Sequence, residues 1–92
     1  AYAALLAAGL DGIDRELPLP EPFRGDAYGG AELTAIPGSL RAAAQALDES
    51  RFMRDALGHD VVDHYVRAAR WEQEVHDRQV TDWELFRGFE RA

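Results

Sequence analysis

The 92-residue sequence contains no cysteine and no lysine. The lack of cysteine excludes disulfides, thiolate zinc sites and cysteine nucleophiles, and it favours the reducing cytoplasm as the location. Without lysine, the chain can supply neither a Schiff-base lysine nor the lysine of a phosphate-binding loop. No apolar run approaches the 18 residues of a transmembrane helix, so no membrane span is expected.

Positive charge is also scarce, because ten arginines face 17 acidic residues and leave a net charge of −7. Binding to nucleic acid or to anionic lipid needs clustered positive charge, so neither is expected as a partner. Hydrophobic residues make up 47% of the chain and charged residues 29%, which is typical of a globular protein. A chain of this length can form one small domain at most, with a marginal core.

Apolar periodicity predicts a mostly α fold of about five helices, with no convincing strand. The first helix is predicted over residues 2–16, with Leu5, Leu6, Leu10 and Ile13 near one face. A long loop rich in proline and glycine follows over residues 17–39 and contains all four prolines. So long a connection inside a compact domain indicates a functional loop or one that packs against another part of a protein.

Cap residues mark the predicted starts of the remaining helices. Ser39 and Ser50 are predicted to cap the second and third helices, and Gly58 to end the third. Asp60 is predicted to cap a long helix that ends near Gln79. The predicted buried stripes are Leu40, Ala43, Ala44 and Leu47 in the second helix and Val61, Val62, Tyr65, Val66, Ala69 and either Glu72 or Val75 in the long one. Thr81 and Glu84 have the spacing of a capping box for the last helix.

Metal-ligand spacing is weak in this sequence. The three histidines are His59, His64 and His76, and the pairs Asp60 with His64 and Glu72 with His76 have i,i+4 spacing. Such pairs place two ligands on one helical face, but no third ligand follows at a fixed spacing. Solvated helix faces are therefore the expected role, and no metal-ligating residue is predicted.

Most carboxylates lie three or four residues from an arginine, a spacing that favours surface ion pairs. The predicted pairs are Asp63 with Arg67, Glu74 with Arg78, and Asp48 with Arg51. Both serines are interpreted as helix caps, and neither lies in a nucleophile-elbow motif. We therefore predict no catalytic and no ATP-binding residue in this chain.

Aromatic residues concentrate near the end of the chain, at Trp71, Trp83, Phe86 and Phe89. One interpretation is core packing of the last helix against the long helix. The other is an aromatic surface that binds a partner subunit, since aromatic residues are enriched at interfaces and a chain this short has little core to receive them. The sequence pattern alone leaves both open.

Four stretches, taken in order, resemble the glutamine synthetase family. "AALLAAGLDGI" is similar to the family's "AALLxAGLDGI", and "IPGSLRAAAQALDES" resembles "lPxSLxeALxaLexS". "FMRDALGHDVVDHYVRAARWEQEV" resembles "lxxxLGxdxvxxYxxxkrxExxx", and "VTDWELFRGFE" resembles "VTxWExxxY". Together they cover nearly the whole chain in the family's order, so residues 1–92 look like the C-terminal helical part of its α+β catalytic domain.

This resemblance implies a ligase that joins glutamate to ammonia or a larger amine, using ATP and Mg²⁺ or Mn²⁺. In the family a γ-glutamyl phosphate forms first, and the amine then displaces phosphate. The family's metal ligands and substrate-binding arginines lie on a curved β-sheet that precedes the stretches found here. We therefore expect enzyme activity in a complete parent protein and none in this segment alone.

The resemblance also implies partners, namely the rest of the catalytic domain and like subunits in stacked rings. Trp83, Phe86 and Phe89 are then expected to lie at a subunit interface. Tyr28 occupies the loop where some bacterial members carry an adenylylated tyrosine, but "AYGGA" replaces their "LYDLP", which favours an ordinary loop tyrosine. The "VTDWE" stretch is more typical of the γ-glutamyl–amine ligases in the family than of its classical bacterial enzymes.

A different class of protein would be a stand-alone helical interaction domain that binds a partner through its aromatic last helix. A preceding strand that carries closely spaced arginines would indicate the ligase, and a start codon just before Ala1 would indicate the module. We expect a segment of a larger polypeptide, since the first helix begins without a cap and in mid-apolar sequence.

Overall fold

A computed structural model describes residues 1–30 and 33–91 of the chain. The helices are α1 (Tyr2–Asp14), α2 (Leu40–Glu49), α3 (Arg51–Leu57), α4 (His59–Asp77) and α5 (Asp82–Arg91). A 3₁₀ turn, Ala27–Gly29, lies in the connection between α1 and α2. The described residues contain no strand, which confirms the predicted mostly α fold of about five helices.

Local hydrogen bonds explain why α2, α3 and α5 begin where they do. The Ser39 and Ser50 hydroxyls accept from backbone amides three residues later, at 3.1 and 3.2 Å. At α5, the Thr81 amide donates to the Glu84 carboxylate at 2.7 Å, and the Glu84 amide donates to the Thr81 hydroxyl at 3.1 Å. Each bond satisfies an amide that has no partner within the helix, so the predicted caps are confirmed.

The start of α4 differs from the prediction, because the N-cap is Gly58 and not Asp60. Gly58 has φ 92° and ψ 150°, a conformation that is essentially restricted to glycine. This single residue turns the chain from α3 into α4. Asp60 lies within the first turn, where its negative charge interacts favourably with the helix dipole. The helix ends at Asp77, two residues before the predicted end.

A small core lies where α4 packs against α2 and α3, while α1 contacts α3. The buried hydrophobic residues in the described part are Ala44, Val62 and Val66. The predicted stripe of α4 was therefore partly wrong, because it included residues from two faces. Val62 and Val66 face the core, whereas Val61 and Tyr65 are 42% and 61% exposed.

The chain is extended rather than compact. Its radius of gyration is 18.9 Å, against about 12 Å expected for a compact domain of this length. Its accessible surface is 8513 Å², against about 5,300 Å² for a compact monomer of this mass. The apolar residues of α1 contribute to the excess, since Leu5, Leu6 and Ile13 are each at least 66% exposed. The helices therefore expose apolar faces that they do not cover for one another.

Candidate functional site

Arg54 on α3 makes polar contacts with two other helices. Its Nε donates to the backbone carbonyl of Asp48 at 2.9 Å, and its Nη2 donates to the Asp48 carboxylate at 2.6 Å. Its Nη1 donates to the Asp63 carboxylate at 2.8 Å. The Arg54 side chain is only 16% exposed, so this guanidinium holds the end of α2 and the first half of α4 against α3.

A second arginine extends the network along α4. Arg70 pairs with the other Asp48 carboxylate oxygen at 2.9 Å, and it donates to the Gln45 side chain at 3.2 Å. Hydrogen bonding from Arg70 is the main cause of a lowered pKa at Asp48, and Arg54 adds to that effect. Asp63 and Asp48 in turn raise the pKa of Arg54. The lowered pKa of Asp48 favours its ionised form, as in a structural ion-pair network.

A groove of about 570 Å³ runs between α2 and α4, and its lining includes Arg70 and Gln45 of this network. Arg41 on α2 pairs with Asp77 on α4 at 2.6 Å across one end. Hydrogen bonding from Gln73, and then from Arg41, lowers the pKa of Asp77. The Arg41–Asp77 ion pair, and the contacts of Arg70 with Gln45 and Asp48, therefore join α2 to α4 beside the groove.

The ion pairs differ from those that helical spacing predicted. Glu74 with Arg78 is confirmed, at 2.7 Å. The other two predictions were wrong, because Asp63 pairs with Arg54 and Asp48 pairs with Arg54 and Arg70. The partners that replace them come from other helices, at sequence separations that carry no periodic signal.

The histidines lie in three separate environments. His59 Nδ1 is 3.3 Å from Arg54, His64 makes an edge-on contact with Tyr65 at 5.6 Å between ring centroids, and His76 lies 3.7 Å from Asp77. Within residues 1–30 and 33–91, no three His, Asp or Glu side chains form a group that could hold a metal ion.

The carboxylates of the ion-pair network are not available as ligands of Mg²⁺ or Mn²⁺ with a bound nucleotide. Such sites use carboxylates that are available to the metal, together with phosphate oxygens. Here Asp48, Asp63 and Asp77 are each bound by an arginine. These carboxylates serve helix packing, and we assign no catalytic step to them.

The aromatic residues of α5 remain largely uncovered by the described chain. Trp83, Phe86 and Phe89 are 68%, 60% and 80% exposed. Arg87 lies over the Trp83 ring, 5.5 Å from its centroid, which is within cation–π range. Their assignment to a subunit interface stays a prediction.

Tyr28 is fully exposed at 102%, within the 3₁₀ turn of the long loop. The Asp26 carboxylate caps this turn by accepting from the Tyr28 amide at 3.0 Å. Phe23 and Leu33 both lie against Gly30, where an added Cβ would come within 2.7 Å of Leu33 Cδ1. The loop therefore packs on itself below an accessible tyrosine. The interpretation of Tyr28 as an ordinary loop tyrosine rather than a modified one stays a prediction.

Within the part of the chain that the structure describes, no helix combines the length and apolar character that spanning a bilayer requires. This finding concerns residues 1–30 and 33–91 alone.

Comparison with known proteins identifies the family. The family model described as "Glutamine synthetase, catalytic domain" matches residues 1–87. The chain is 48% identical over 91 residues to the gamma-glutamylethanolamide synthetase of Streptomyces coelicolor, covering 99% of this chain and 20% of that protein. It is 36% identical to the glutamine synthetase of Halobacterium salinarum, covering 99% of this chain and 22% of that protein. It is 35% identical to the glutamine synthetase of Thermotoga maritima, covering 95% of this chain and 21% of that protein.

The chain thus spans about a fifth of the length of the curated relatives it matches. The resemblance predicted from the four sequence stretches is confirmed, because the matched range contains almost all of them. Since the family model covers residues 1–87 of 92, the chain belongs to the glutamine synthetase catalytic-domain family.

Proposed function

We propose that the polypeptide containing this chain is an ATP-dependent ligase that forms a γ-glutamyl amide from glutamate and an amine. Membership of the glutamine synthetase family supports the ligase class. The higher identity to a gamma-glutamylethanolamide synthetase, 48% against 35–36% for two glutamine synthetases, favours an amine larger than ammonia. ATP and Mg²⁺ or Mn²⁺ would bind outside this segment. The location that suits this reaction is the cytoplasm, because it supplies both ATP and glutamate.

The direct test uses the full polypeptide with glutamate, ATP and Mg²⁺ or Mn²⁺. Ammonium and ethanolamine are compared as acceptors, with phosphate release and product mass as the readouts. We expect a γ-glutamyl amide with at least one amine, and a higher kcat/KM for ethanolamine. Phosphate release that depends on neither amine, with no amide product, would contradict the proposal.

Within that enzyme, we propose that residues 1–92 form the C-terminal helical part of the catalytic domain. Their role is structural, and the segment has no activity of its own. The observation that carries this proposal is the large exposed apolar surface of the described residues, beside their core of three buried side chains. The apolar face of α1 would cover the catalytic sheet, because leaving Leu5, Leu6 and Ile13 in water forfeits about 1.5–3 kcal/mol for each side chain.

Circular dichroism of the isolated 92 residues tests this structural role. We expect partial helicity and a broad thermal transition, since so few side chains are buried. A sharp, cooperative transition would instead support the stand-alone interaction domain.

The aromatic face of α5 would bind like subunits, which we propose assemble as stacked rings. Removing residues 81–92 from the full polypeptide should shift sedimentation velocity profiles to smaller species. E90A, which changes an exposed acidic residue on the same helix, is the matched control and should leave assembly unchanged. Oligomers of unaltered size after the truncation would contradict the interface assignment.

A further inference from the structure

We draw no further inference here: the strongest candidate, the groove between α2 and α4, is lined by Arg41 and Arg70, which already pair with carboxylates of this chain, and nothing in the structure shows what covers the groove.

Discussion

Val62 is the most deeply buried side chain of α4, at 1% exposure, and the substitution Val62→Ala tests whether the small core holds α2, α3 and α4 together. The change removes two methyl groups from the interior, at about 0.8 kcal/mol each. The cavity left behind adds to this loss, for a total of about 2 kcal/mol. Among the described residues, Ala44 and Val66 are the other buried hydrophobic side chains, so this part of the chain offers few contacts to replace those that are lost.

Hydrogen exchange of the full polypeptide, followed by mass spectrometry, measures this loss locally. A loss of about 2 kcal/mol corresponds to about 30-fold faster exchange in the peptides of α2 and α4, since 1.4 kcal/mol is tenfold. Val80→Ala makes the same chemical change at a residue that is 65% exposed between α4 and α5. It should change exchange in α2 and α4 less than about threefold. Equal effects of the two variants would refute the assignment of Val62 to a core.

Arg54→Lys should lower the thermal midpoint more than Arg51→Lys on the same helix, because an ammonium cannot reproduce the contacts of the Arg54 guanidinium with Asp48 and Asp63; equal midpoints would contradict this. The capping hydrogen bonds lower the pKa of Glu84, so the carboxylate stabilises the start of α5 above its unfolded pKa and loses this effect as pH falls through the lower, folded pKa. Protection of the amides in the first turn of α5, measured relative to their intrinsic exchange rates, should therefore fall as the solution is acidified. Glu84→Ala should abolish this pH-dependent loss of protection. Gly58→Ala should destabilise the fold by about 1–3 kcal/mol in thermal unfolding, because of its backbone conformation. Gly88→Ala, inside α5 with open space at Cβ, should stabilise by up to about 1 kcal/mol, and the same sign for both glycines would contradict the argument.

Local sequence determined the helices of this chain and most of their starts. Ser39, Ser50 and the pair Thr81 and Glu84 act on amides within three residues, so their effect can be read without knowing the fold. The order of four short stretches was likewise enough to predict the family. In both cases the information lies in neighbouring residues, and no long-range contact is needed to interpret it.

Tertiary structure alone decided which residues face inward and which charges meet. Val61 and Val62 are equally apolar, yet the packing of α2 and α3 buries only the second. Arg54 meets Asp63 nine residues away and Arg41 meets Asp77 36 residues away, separations at which helical periodicity predicts nothing. Contacts between helices depend on how the helices cross, and that angle is set by the whole set of packed side chains rather than by any one stretch of sequence.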